Sequence, residues 1–273
     1  MITFCGKIVK CAPGNPGLWY TGYNTKNLCR KGLNAMPYFY YDSMLWVVLA
    51  VAVIGMIASS RVQSTFQKYS NMPARTGLRA CDVAQRMLLY GGSNAQLTRV
   101  SGALTDHFNP KTNTVGLSEA VFDQSSVAAL AVAAHEIGHV MQNKEGYGPY
   151  RVRTALVPVV NFGSRLAMPL VLIGILLDTY VRTANPDTGF YVAMVGVVLY
   201  GGSFLFSLVT LPVEYNASAR ALEWLQVSRT MQGAQLAQAK EALSWAARTY
   251  LVAALSAIAS VLYYVFLILG RRD

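Results

Sequence analysis

The sequence predicts a mainly α-helical, multi-pass membrane protein with about four transmembrane helices and a polar region that holds a small β-ribbon. Three observations predict it. The 273 residues are 53% hydrophobic and only 13% charged, roughly half the charge share of a typical soluble domain. The charges are unevenly placed, running through 61–153 and thinning almost to nothing in four long apolar runs. Those runs approach the ~20 apolar residues that a bilayer crossing requires. Such a composition excludes a disordered chain. In a membrane protein the net charge of +10 reports orientation and attraction to anionic headgroups. No basic stripe is interleaved with aromatics, so no nucleic-acid partner is expected. Cys5, Cys11, Cys29 and Cys81 form no C-x-x-C pair, which argues against a zinc ribbon and a disulfide framework alike.

Residues 1–35 read as a basic, poorly ordered N-terminal tail. They hold five Lys or Arg, no acid, and a PGNPG turn sequence at 13–17, with no periodic apolar face. Met36 offers an alternative translation start, and no A-x-A cleavage site follows the first apolar run. Segment 36–60 carries the first span, Met44–Ser60, between Asp42 and Arg61; the aromatic run Pro37–Tyr41 extends it into the interface. Segment 154–211 carries the second and third spans. The second runs from about Ala155 to Tyr180 and contains Arg165, which costs roughly 2.5–3.5 kcal/mol at a bilayer centre unless it snorkels or finds a partner. The third, Phe190–Leu211, is free of charge. The fourth, Tyr250–Gly270, lies in segment 250–273 and ends at Arg271 and Arg272.

Between the first two spans lies the main polar region, 61–153. Thr76–Tyr90 reads as a helix with Ala80, Val83, Ala84, Met87 and Leu88 on one face, stopped by Gly91-Gly92. Residues 96–122 read as extended, with a turn at Asn109-Pro110-Lys111, and so predict a β-ribbon. Ser125 or Ser126 then caps a helix running to about Asn143. The second polar region, 212–249, is helical in character, with Glu214 opening a helix after Leu211-Pro212.

Residues 135–139 read His-Glu-Ile-Gly-His. On a helix His135 and His139 stand one turn apart, so both imidazoles can meet one divalent ion, and Glu136 beside them can take a proton from the attacking water. With three His and six Glu in the chain, the pattern arises by chance on the order of once in a thousand such sequences. A catalytic zinc ion takes three protein ligands and leaves one position open. The extended motif would place a third histidine at 145, where Glu145 stands, and a glycine at 142, where Gln142 stands. The third ligand must therefore come from elsewhere, with His107, Glu145, Glu214 and Glu223 as candidates. Glu214 is best placed, at the start of a second helix. His107, in LTDHFNP, can stabilise an oxyanion, bind substrate, or only bond within the fold. The strand 113–119, with Val115, Gly116 and Leu117 at its centre, can pair with an extended peptide substrate by strand addition.

The stretches STFQKYSNMPARTGLRACDVAQRML, LTDHFNPKTNTVGLSEAVFDQSSVAALAVAAHEIGHVMQ and LPVEYNASARAL resemble the bacterial membrane zinc metallopeptidases of the YugP type, the neutral zinc metallopeptidase family 2. The likeness covers about 36–270. It implies a zincin-like, gluzincin-type metallopeptidase region in a multi-pass membrane protein. It implies one zinc ion on His135, His139 and Glu214, with Glu136 as general base. The family pattern has Asp where this chain has Asn216, a position from which a side chain can support a ligand imidazole.

His135 and Glu214 can share an ion only if 61–153 and 212–249 lie on one face of the membrane, and the two intervening spans satisfy that. The two polar regions hold 14 Lys or Arg, against Arg182, Arg271 and Arg272 opposite and five more in the tail. The positive-inside rule therefore places the site on the cytoplasmic side of a bacterial cell (inner) membrane. The expected reaction is peptide-bond hydrolysis of a peptide or protein substrate. A metal-holding scaffold without turnover is the alternative.

Overall fold

A computed structural model describes residues 35–180 and 187–269, and side chains over 45–177 and 187–269. The basic tail, with Cys5, Cys11 and Cys29, lies outside the described residues, as do Arg182 and the C-terminal arginines. Among the described residues four helices are long and apolar enough to cross a membrane: α1 (Ala35–Ser70), α4 (Gly148–Tyr180), α5 (Thr188–Val227) and α6 (Ala234–Leu269). The protein is thus mainly helical and multi-pass, with a small sheet. Each of these helices outruns its apolar run. Once a span has formed its internal hydrogen bonds, continuing it into water costs little, whereas ending it inside lipid strands backbone groups.

The polar end of the molecule is built around α3 (Val127–Glu145). Ser126 caps it, its Oγ accepting from the Ala129 N–H at 3.2 Å; Gly146 ends it in the left-handed region at φ 68°. Its residues Val127–Ala131, Ala133, Ala134 and Ile137 are buried, so the helix is apolar nearly all round, as a helix wrapped by others must be. The wrapping comes from α2 (Ala80–Tyr90), the sheet, and the polar ends of α5 and α6. α2 presents Ala80, Val83, Ala84, Met87 and Leu88 inward, as its periodicity predicts. It starts later than the expected Thr76, because residues 74–79 turn through Gly77 at φ 62°. It stops through Gly92, where the Ser93 N–H reaches the Leu88 carbonyl and the Gly92 N–H the Leu89 carbonyl, the Schellman arrangement that only a positive φ permits.

The expected ribbon is a three-stranded sheet of order β1-β3-β2, from β1 (Gln96–Val100), β2 (His107–Asn109) and β3 (Thr114–Ser118). β2 pairs antiparallel with β3, His107 opposite Gly116, while β1 pairs parallel with it, Thr98 opposite Gly116. The chain breaks at 101–106, where Gly102 and Leu104 take positive φ, and this lets β1 swing to the far side of β3. That overturns one expectation. β3 is the central strand, Val115 and Leu117 are fully buried, and both its hydrogen-bonding edges are occupied. Val115, Gly116 and Leu117 therefore cannot take a substrate strand.

In the membrane part α4 and α5 approach closely at small residues. A Cβ on Gly174 would fall 2.4 Å from the Ala193 nitrogen, and one on Gly196 2.6 Å from the Ala167 oxygen. With no hydrophobic drive between helices in lipid, such close backbone packing is what holds them together. Tyr69, at the polar end of α1, donates to Glu241 Oε2 of α6 at 2.6 Å.

Candidate metal centre

Glu214 does not open a helix. It lies inside α5, which continues through Pro212. Proline removes one backbone hydrogen bond, but breaking the helix beside lipid would strand more of them, so the helix persists. The rigid spacing that results puts Glu214, Ala217, Ser218 and Ala221 on the face turned to α3, all of them buried. Nor is Glu214 a solvated carboxylate; it is 6% exposed.

Gly138, between the two histidines, sets how closely that face can approach. A Cβ there would lie 2.6 Å from the Ala217 carbonyl oxygen. Without one, α3 and α5 meet backbone to backbone, and Glu214, less than one turn from Ala217, reaches across. Its Oε2 lies 3.2 Å from His135 Nε2 and 3.6 Å from His139 Nε2. One ligand atom from each of the three residues falls within 4.8 Å of the others. The edge of a tetrahedron with bonds of 2.0–2.1 Å is about 3.4 Å, which these two contacts bracket.

The proton positions around His139 support the same reading. The Gln142 amide nitrogen faces the Val213 carbonyl oxygen at 2.8 Å and Asn216 Oδ1 at 2.9 Å. A backbone carbonyl only accepts, so Gln142 must turn its NH2 that way and its Oε1 toward His139 Nδ1, 2.9 Å away. Nδ1 then carries the proton, which leaves Nε2 as the nitrogen that faces the Glu214 carboxylate. Two imidazole nitrogens and a carboxylate oxygen turned toward one another in a buried pocket are a donor set that fits a divalent ion. His135 is held likewise, its Nδ1 3.1 Å from Ser218 Oγ. The other Glu214 oxygen, Oε1, lies 3.7 Å from Arg153 Nη2, and Tyr250 faces the same carboxylate.

Glu136 follows His135 on α3 and is 8% exposed. Burial pushes its carboxyl up to about 7, while the charge of His135 pulls it down and those of Glu214 and Asp106 push it up. The charge of His107 also pulls it down slightly. The exposed His107 ring donates from Nδ1 to the Thr105 carbonyl at 2.9 Å and lies over Gly116, where a Cβ would fall 2.8 Å from its Cε1. That contact is what the glycine at 116 serves. Asp106 accepts from the Ser118 N–H at 2.7 Å and so closes the rest of β3.

Of the other candidate third ligands, Glu145 is exposed and accepts from Arg220 Nη1 at 2.7 Å. Glu223 is exposed and lines a separate cavity of about 320 Å³ between α2, α3 and α5. Asn216 does not touch an imidazole; its Oδ1 receives Gln142 and, at 2.8 Å, Arg220 Nε. Sequence reasoning missed Gln142, Arg153, Ser218 and Tyr250. Gln142 and Ser218 carried a signal, standing three residues after His139 and four after Glu214 on the same helix faces. Arg153 and Tyr250 carried none, since only the packing of α4 and α6 brings them in.

Residues 44–269 match the family described as "Putative neutral zinc metallopeptidase". The chain belongs to this neutral zinc metallopeptidase family. Over 233 residues it is 36% identical to the "Putative membrane protease YugP" of Bacillus subtilis, covering 84% of this chain and 99% of that relative. No solved structure matches it. The family name supplies zinc and proteolysis in general terms, and the bilayer as surroundings agrees with the four apolar helices.

Proposed function

We propose that the chain is a zinc-dependent endopeptidase embedded in the membrane, with Glu136 as its general base. The observation that carries this is the convergence of His135, His139 and Glu214 within 4.8 Å, with a buried carboxyl next in sequence. These three residues would hold a zinc ion. When bound, zinc lowers the pKa of a water at its open position to about 7 and polarises a peptide carbonyl.

Glu136 accepts the proton of the attacking water as the C–O bond forms. It passes that proton to the amine nitrogen as the C–N bond breaks. Arg153 holds the second oxygen of Glu214 and so keeps Oε2 turned to the imidazoles. Asn216 supports His139 through Gln142. An extended substrate lies along the outer edge of β2, where it can pair by strand addition. His107 faces it there. Because its Nδ1 already donates to a carbonyl, His107 can donate to an oxyanion only as the imidazolium.

The 14 Lys and Arg of the two polar regions support a site on the cytoplasmic side of a bacterial cell membrane. The test compares three purified proteins. Wild type should bind zinc and cleave casein in a chelator-sensitive way. Glu136→Gln should keep the zinc and lose at least 10²-fold in cleavage, and Glu214→Gln should lose the zinc while staying folded. Cleavage by Glu136→Gln at the wild-type rate would refute the base. Zinc retained without cleavage of any substrate would leave a metal-holding scaffold.

A further inference from the structure

The metal centre sits where the apolar helices end. α5 carries no charged side chain from Thr188 to Val213, and the next residue is Glu214. α6 carries none from Thr249 to Leu269, and the residue before is Arg248. On α4 Arg153 meets Glu214 at 3.7 Å, while the uncharged run of that helix starts only after Arg165. Tyr250, just inside the uncharged run of α6, faces the same carboxylate. α5 and α6 thus begin their uncharged runs at the level of the site, and α4 brings Arg153 to the same level.

Aromatic side chains mark that level and its opposite. At the site end Tyr215 is 46% exposed, and the Trp245 ring lies under the Arg248 guanidinium at 4.6 Å. At the other end Trp46 and Tyr191 are exposed. Tryptophan and tyrosine gather at the two membrane interfaces. From Tyr191 to Tyr215 α5 rises about 36 Å. That length spans the ~30 Å hydrocarbon core. The bilayer therefore ends beside Glu214. α3 and the sheet cover the site from the aqueous side, while Arg153 and Tyr250 flank it from the membrane side.

We infer that the substrate is a polypeptide already anchored in the bilayer, cut in the stretch just outside the hydrocarbon on the site's side. This rests on the proteolytic reading. A chain leaving the membrane arrives at headgroup depth without further work, and shared anchorage raises its effective concentration toward the millimolar range. A soluble peptide gains neither advantage.

The experiment places zinc-loaded full-length protein in phosphatidylethanolamine–phosphatidylglycerol vesicles with a single-span substrate. The span is followed by a long unstructured casein-derived segment on the site side, and cut positions are mapped by mass spectrometry. A second substrate carries a Gly-Ser spacer of about 15 residues, roughly 50 Å when extended, between span and segment. A third is the casein segment free in solution, and Glu136→Gln protein is the blank. Cuts should cluster within about ten residues of the span, and the spacer should slow cleavage of the casein segment at least tenfold. The free segment should be cut at least tenfold more slowly than the tethered one. Equal rates for tethered, spaced and free segments would overturn the inference and leave the peptidase standing. Failure to cut any of the three would overturn the peptidase reading and this inference with it.

Discussion

His139 Nδ1 lies 2.9 Å from Gln142 Oε1, and Gln142 cannot turn its amide over because the Val213 carbonyl accepts from the other end. The glutamine thereby fixes which imidazole nitrogen is free for the ion. Partners of this kind are worth 10–100-fold in metal affinity. Gln142→Leu should weaken zinc binding by about that factor while the protein stays folded, as read by competition with a chromophoric chelator. An unchanged affinity would remove Gln142 from the site.

Gly138→Ala tests the helix contact that brings the carboxylate in. In an exposed helix this exchange stabilises by about 1 kcal/mol. Here the new Cβ meets the Ala217 oxygen at 2.6 Å, a backbone atom that cannot swing aside. Overpacking of that kind costs about 1–3 kcal/mol. The expected result is a lower melting temperature in detergent together with weaker zinc binding. A variant as stable as wild type would show that α3 and α5 can part freely.

Gly116→Ala separates the role of His107 from that of the ion. Its Cβ would fall 2.8 Å from His107 Cε1 and 2.9 Å from Val100 Cγ1, both on side chains able to move, so the fold should survive. Turnover should fall about tenfold with zinc stoichiometry intact, and His107→Ala should show the same loss. If both changes act through the one ring, the double variant should be no worse than either single one. Additive losses would give Gly116 a separate function.

The Glu145–Arg220 pair makes a pH prediction. The hydrogen bond from Arg220 holds the Glu145 carboxyl below its ordinary value of 4.5, with smaller help from the charges of Arg220 and Lys144. A carboxyl depressed in the folded state stabilises above its unfolded pKa and loses that contribution as pH falls through the folded one. Glu145 is 53% exposed, so solvent screening limits the effect to under about 1 kcal/mol. Melting curves of wild type and Glu145→Gln should differ slightly at pH 7, and the difference should shrink as the pH falls below the ordinary carboxyl value. A gap that widens toward acid would contradict the assignment.

The sequence alone determined the membrane spans, the α2 face and the two histidines. Each is a local matter. Long uncharged runs cannot stay in water, and a helix repeats its faces every turn or so, whatever lies elsewhere in the chain. It also named Glu214, although as the first residue of a helix rather than one inside α5. Tertiary structure decided what depends on residues far apart in the chain. The parallel pairing of β1 with β3 buried Val115 and Leu117 and left the outer edges to β1 and β2, because a strand's free edge is a property of the sheet. The absence of a side chain on Gly138 became meaningful only where Ala217 crosses it. Gln142 gained its role from Val213 and Asn216, and Arg153 from Glu214, since a hydrogen bond or ion pair exists only once packing has brought both partners within a few ångströms.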